Sequence, residues 1–292
     1  MRILSWNIQW GRGVDGRVDP ERTASVIAGF DPDAICLQEV ARHHPQLPGM
    51  PEQPADQVRW LRERFPGFEG VYAAASDLTD GAGGRRQFGQ MILSRLPVLQ
   101  VFRHLLPWPA EDGAPSMQRV ALEAVLAAPS LPGGALRVVT THLEYYSAVQ
   151  RRAQVEALRR LHAEGWHQAR GRRAGEGADP PFAVLPRGEG AVFCGDFNHP
   201  AGAIEHGLMQ ASFAGADAGV PPLLDAWSIA HPGMPHAPTA ALTPVDWLGS
   251  PACFDFFFVG ADLAPRVRDV RVDAACRASD HQPVLLELEV PP

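Results

Sequence analysis

Lysine is missing from this 292-residue chain, so all 26 basic residues are arginines, and against 33 acidic residues the formal net charge is 26 − 33 = −7. A weakly acidic chain lacks the broad cationic footprint with which proteins grip long nucleic acid by its phosphates, although a local basic groove remains open to it. Cysteine is scarce: Cys36, Cys194, Cys253 and Cys276 are far apart and form no Cys-x-x-Cys pair. They read as buried reduced thiols, not as a disulfide frame or a zinc knuckle. No run approaches the roughly 20 apolar residues of a membrane span. The start of the chain enters a strand within two residues of Met1, with no apolar leader, so a cytoplasmic location is expected. Internal repeats are missing too, as is any linker between two self-sufficient halves; one domain over residues 1–292 is predicted.

What is present is ample core material, with 46% of residues hydrophobic and 20% charged, the balance of an ordinary globule. Strands are predicted over 3–8, 34–40, 68–75, 89–94, 97–105, 117–127, 136–143, 191–196, 253–259 and 284–290. Helices are expected around Val26, Ile27 and Phe30, around Val58, Leu61 and Phe65, and along a stripe of Val149, Ala153, Ala157 and Leu161. The glycine-rich stretch 76–87, with Arg85 and Arg86, reads as a surface loop. A flexible insertion is predicted near 171–190, and 206–250 reads as a long irregular connection carrying Trp227, His231, His236 and Trp247. The β, α, β alternation early in the chain implies an α/β fold with crossover connections.

Chemistry-bearing residues gather at predicted strand ends. The run Ala191-Val192-Phe193-Cys194-Gly195 ends in Asp196-Phe197-Asn198, and alternation aims Asp196 and Asn198 the same way. Asn7 closes the first strand, Glu39 the second on a face shared with Ile35 and Leu37, and His142 the strand that includes Val138 and Thr140. Asp255 lies among aromatics in Cys253-Phe254-Asp255-Phe256-Phe257, where an unpaired carboxylate is costly and needs a partner. Asp280-His281 precedes the last strand, and Arg119 begins the strand over 117–127.

Taken together, Ser5-Trp6-Asn7, Leu37-Gln38-Glu39-Val40, Ile92-Leu93-Ser94-Arg95, Thr141-His142-Leu143, Gly195-Asp196-Phe197-Asn198 and Ser279-Asp280-His281-Gln282-Pro283-Val284 resemble, in order, the motifs of the endonuclease/exonuclease/phosphatase superfamily, which includes pancreatic deoxyribonuclease, exonuclease III and the sphingomyelinases. The resemblance implies a four-layer α/β sandwich, two packed mixed β-sheets flanked by helices, with a divalent-metal site at one edge. It implies a hydrolase that cleaves a phosphoester by in-line attack of an activated water, a phosphodiesterase or phosphatase for a small or lipid-linked substrate. A nuclease of the same fold is the alternative, and a silent phospho-ligand binder a more distant one. Thr141-His142-Leu143 departs from the abasic-site endonuclease branch.

Attack on an anionic phosphoester needs a cation, an activated water and donors for developing charge. Under this resemblance Glu39, Asp280 and Asn7 belong to a Mg²⁺ or Mn²⁺ site, for which hard oxygen ligands are suited. His281 would be a general base held by Asp255, with Asp196 orienting or deprotonating the water; which of the two takes the proton stays open. Asn7, Asn198 and His142 would donate to phosphate oxygens, with Arg119 as a further substrate contact.

Overall fold

The computed structural model describes residues 1–50, 56–171 and 185–290. Two six-stranded mixed sheets pack face to face. The first has the order β11-β12-β1-β2-β4-β3, built from β1 (Arg2–Asn7), β2 (Ala34–Arg42), β3 (Glu69–Thr79), β4 (Arg85–Ser94), β11 (Val267–Val272) and β12 (Val284–Leu288). The second has the order β5-β6-β7-β8-β10-β9, from β5 (Val98–Leu105), β6 (Val120–Ala127), β7 (Ala135–His142), β8 (Ala191–Asp196), β9 (Leu223–Asp225) and β10 (Asp255–Gly260). Helices α1 (Pro20–Phe30) and α2 (Gln57–Arg64) cover the first sheet, while α3 (Ala148–Arg170) and α4 (Ile204–Gln210) cover the second. The chain is thus a four-layer α/β sandwich.

Each layer follows from local chemistry. Asp19 caps α1 by accepting from the Arg22 amide, with Pro20 in the first turn, and Ser147 caps α3 by accepting from Gln150. Ile3, Cys36, Ile92, Val138, Val192, Cys194 and Phe257 fill the space between the sheets, whereas Leu4, Trp6, Ile35 and Leu37 pack outward under α1 and α2. Burial of this kind on both faces makes the central strands almost wholly apolar. All four cysteines are free thiols. Among the described residues, no helix is long and apolar enough to cross a membrane.

Four expectations change. The stretch 76–87 is no open loop: β3 and β4 pair from Glu69↔Ser94 to Thr79↔Arg85, so only Asp80 to Gly84 turn the hairpin. Glycine there serves the turn, where Gly81 and Gly83 take positive φ. The stripe on α3 is rotated, with Val149 exposed and Gln150, Gln154, Leu158 and His162 buried. Gln150 and Gln154 satisfy loop backbone groups at Pro109, Pro107 and Glu144, an inward role that an apolar pattern does not register. The connection 206–250 contains α4, β9 and the short α5 (Ala226–Ala230), which touches both β10 and β11. Strand β11 itself, at the sheet edge, buries only Val267 and Val270 of VRDVRV, with a register shift between Val267 and Asp269, and lies outside the strands predicted from sequence.

Residues 172–184 of the expected insertion lie outside the described residues. Its end is packed: Arg187 is buried and pairs with Glu123.

Candidate active site

Sheet register assembles the site. In the second sheet His142 pairs with Asp196 and Asp196 with Asp255, so three chemistry-bearing residues stand side by side on β7, β8 and β10. Parallel β7 and β8 can come this close because Gly195, at φ 134°, has no Cβ; one built there would meet the Thr141 carbonyl oxygen at 2.0 Å. Across from this row, β1 ends at Asn7 and β2 bends at Glu39. The two sheets are pinned just below by Gln38, whose Nε2 donates to Thr140 Oγ1 at 2.8 Å and to Ser5 Oγ at 3.3 Å.

Glu39 arrives by a route that alternation does not foresee. Its φ is +59°, and the β2–β4 register shifts between Leu37 and Val40. This bulge takes Glu39 off the outward face of Ile35 and Leu37 and turns it to the cleft, as bulges beside functional sites do. There Asn7 Nδ2 donates to Glu39 Oε1 and to Asp196 Oδ2, both at 3.1 Å, while Asn7 Oδ1 accepts from the Gln9 amide. Asn7 therefore bridges two carboxylates, with its whole side chain already engaged. Asn198, left-handed at φ 52°, donates from Nδ2 to the Leu143 carbonyl, and its amide donates to Asp196 Oδ1.

His281 closes the ring. Its Nδ1 donates to Asp255 Oδ2 at 2.8 Å, and its Nε2 lies 3.6 Å from Asp196 Oδ2. Asp255 thereby gains the partner its aromatic setting demanded. The motif residues without a chemical task act as braces: Trp6 Nε1 donates to the His281 carbonyl and Ser279 Oγ to the Asn7 carbonyl. His142 faces both carboxylates, 3.8 Å from Glu39 and 3.4 Å from Asp196. Arg119 is buried with its Nε toward Glu144.

Burial, and then Asp280, push the Glu39 carboxyl up to about 7. Burial raises Asp196 to about 6 as well, with His281 opposing and Asp255 adding to the rise. Burial by itself disfavours the His281 imidazolium, yet Asp255 and Asp196 outweigh it and hold that group well above its ordinary value. His142 goes the other way, held neutral by burial and by Arg119. Carboxylates crowded strongly enough to favour protonation, and offering hard oxygens, fit a divalent cation; Glu39 and Asp280 could hold one directly or through water.

A cleft of about 340 Å³ opens over these groups, lined by Glu39, Asp196, Asn198, Asp280, His281, His142 and Arg119. Every site residue expected from sequence except Asn7 and Asp255 faces it; those two stand directly behind. Its rims also carry residues the motifs did not reveal. Trp247 stacks parallel on His281 at 5.8 Å and donates from Nε1 to Asp280 Oδ2, which also accepts from Gln9 Nε2 at 2.8 Å. Thr239 Oγ1 donates to Asp255 Oδ2 at 2.6 Å. Trp10, Phe88, Met117, Tyr145 and Tyr146 complete the rim. Trp247 and Thr239 come from the irregular connection, which has no periodicity to flag them. Gln9 is signalled only by closeness to Asn7.

No curated protein matches the chain in sequence. Among solved structures, an endonuclease/exonuclease/phosphatase from Beutenbergia cavernae aligns with a TM-score of 0.67 at 21% identity, covering 99% of this chain and 71% of that one. A mannosyl-6-phosphatase from Bacteroides thetaiotaomicron aligns at 0.65 and 16% identity, covering 99% of both chains. The human Nocturnin catalytic domain, with bound sulfate, aligns at 0.63 and 16% identity, covering 100% of this chain and 93% of that one. These likenesses carry the fold. The sequence profile of the Endonuclease/Exonuclease/phosphatase family matches residues 4–281, nearly the whole chain, and with the site geometry above it the protein belongs to that family.

Proposed function

We propose that this chain is a divalent-cation-dependent hydrolase of small or lipid-linked phosphoesters, acting through in-line attack of water. The observation that carries this reading is the gathering of Glu39, Asp196 and His281, from three distant segments, into one cleft where burial and crowding raise both carboxyls despite the nearby His281. Bound there by Glu39 and Asp280, Mg²⁺ or Mn²⁺ would neutralise phosphate charge. Asn7 positions Glu39 and Asp196 by bridging them. Asp196, with a carboxyl near 6, accepts the proton of the attacking water. His281, kept protonated by Asp255, donates to the developing charge on the phosphoryl group. His142, Asn198 through its remaining N–H, and Arg119 hold phosphate oxygens.

Small substrates are favoured over polymers because, among the described residues, Arg119 is the one arginine lining the cleft and Arg12 the one in the pocket beside it. On the β3–β4 hairpin Arg85 pairs with Asp77 and Arg86 bonds Thr79, and Arg86 also reaches Gln46 in the loop after β2. Arg152 pairs with Glu205, and Arg151 donates to the backbone at Glu144 and Tyr145. None of these four is among the residues lining the cleft, so they make no continuous cationic track there. The test is a panel of chromogenic mono- and diesters, sphingomyelin, nucleotides and single- and double-stranded nucleic acids, with Mg²⁺, Mn²⁺ and EDTA compared. Cation-dependent, salt-insensitive turnover of a small ester is expected. Turnover confined to nucleic acid and falling steeply with salt would instead establish the nuclease.

A further inference from the structure

A second convergence of ligating atoms lies outside the cleft. His206 from α4, Asp225 at the β9–α5 junction and His236 from the following loop each present one donor atom, and the three atoms fall within 4.8 Å of one another. Both imidazoles aim Nε2 at the same oxygen, Asp225 Oδ2, with His206 at 3.3 Å. That oxygen also accepts from Ser228 Oγ at 3.0 Å, while Oδ1 is taken by the Trp227 amide. One carboxylate oxygen thus faces three donors. Nearby, His206 Nδ1 and His199 Nε2 are buried with no hydrogen-bond partner, and the rings of His199 and His206 lie 5.8 Å apart. His206 turns Nε2 to Asp225 and Nδ1 away from it, so these two nitrogens mark polar space beside the cluster and not within it.

We propose that His206, Asp225 and His236 form a second metal site, specific for a borderline cation of the zinc class and separate from the hard-cation site at Glu39. Two imidazoles and one carboxylate are a donor set for zinc; magnesium favours oxygen alone. Tetrahedral zinc at about 2.0–2.1 Å from its ligands sets neighbouring donors about 3.3 Å apart; His206 and Asp225 already stand 3.3 Å apart, and His236, at 2.5 Å from Asp225, draws back to admit the ion. Three protein ligands leave the fourth position to water. A wall of Phe256, Phe258 and Trp227 rings surrounds the group, and His236 retains the exposure through which an ion enters. The site's role is to clasp the irregular connection. Three residues beyond His236 is Thr239, which holds Asp255, and farther along is Trp247, which holds His281 and Asp280. A metal at His236 anchors the segment that steadies the catalytic dyad from behind.

The test uses the full chain stripped of metal and then given Co²⁺ or Zn²⁺, comparing wild type with His236→Gln, His206→Gln and Glu39→Gln. Expected are tetrahedral Co²⁺ absorption bands and one zinc equivalent in wild type and Glu39→Gln, both lost in His236→Gln. Thermal stabilisation by zinc should vanish with them, while Mg²⁺ binding at Glu39 persists. His236 is partly exposed, so its variant folds even if the buried His206→Gln does not. The proposal is overturned if wild type takes up no tetrahedral Co²⁺, or if His236→Gln takes up as much as wild type. Loss of the bands in Glu39→Gln alone would assign them to the cleft, which also overturns it.

Discussion

Glu39 and Glu123 are both carboxylates taken out of water, in opposite electrostatic company. Glu123, on β6, is fully enclosed and receives Arg137 Nε at 2.7 Å, Arg187 Nη1 at 2.6 Å and His104 Nε2 at 3.1 Å. Burial alone would raise its pKa, but His104, Arg137 and Arg187 together hold it far below the ordinary carboxylate range. Glu39 has an amide, a neutral histidine and two further acids around it, and rises to about 7. The fold gives one acid two buried guanidinium partners, and the other none in direct contact among the described residues, so that His281 offsets only part of its burial. Glu123 completes a structural network, whereas Glu39 is left with the surplus of acidic charge that the proposed cation would offset.

Breaking the pair should separate function from stability. The largest effect is expected for Asp196→Ala and His281→Ala, each lowering kcat by about 10²–10⁴-fold on the ester found by screening, with circular dichroism unchanged. Near-normal turnover in either purified variant would sink the assignment of roles. Glu123→Ala should do the reverse. It strands two buried guanidinium groups and costs about 3–5 kcal/mol in urea unfolding, with activity per folded molecule retained. Glu39→Gln should abolish cation-dependent turnover without loss of stability in EDTA, since it removes a carboxylate the apo fold disfavours.

The pH dependence sharpens the contrast, because the two acids have opposite signs. Glu39 titrates from an ordinary 4.5 to about 7 in the folded chain. The folded state therefore holds more protons in that interval, and apo stability falls as pH rises through it. Glu123 is depressed, so its contribution is present above 4.5 and is lost on acidification below that value. Mg²⁺ should raise Tm more at pH 8 than at pH 5, and Glu39→Gln should flatten that difference; an equal Mg²⁺ effect at both pH values would contradict it. The smallest effect is expected for Trp247→Phe. It keeps the ring over His281 but drops the bond to Asp280, lowering kcat/KM by about fivefold, the equivalent of one hydrogen bond of ~1 kcal/mol.

The contrast between the two acids was only half visible in the amino-acid order. Glu39 stood out because it closes an apolar run inside a motif. Glu123 did not, because an acid within a strand is ordinary until its three partners, on β5, on β7 and just before β8, are brought around it. Trp247 and His236 stood out in the irregular connection only as residues that could line a cleft, and Thr239 not at all, since residues without periodicity acquire a specific role only from what they touch.

Local order alone determined the central strands, their apolar runs and the strand-end placement of Asn7, His142, Asp196 and Asp255, because periodicity acts over a few residues, whereas β9, β11 and the outer β3–β4 hairpin escaped it. It also carried the family, through motifs whose spacing survives without any structure. Tertiary structure decided the rest. A bulge turned Glu39 to the cleft, β7–β8–β10 register lined up His142, Asp196 and Asp255, and packing gave each buried acid its charge state, because burial and Coulomb interactions depend on distances across the fold and not along the chain.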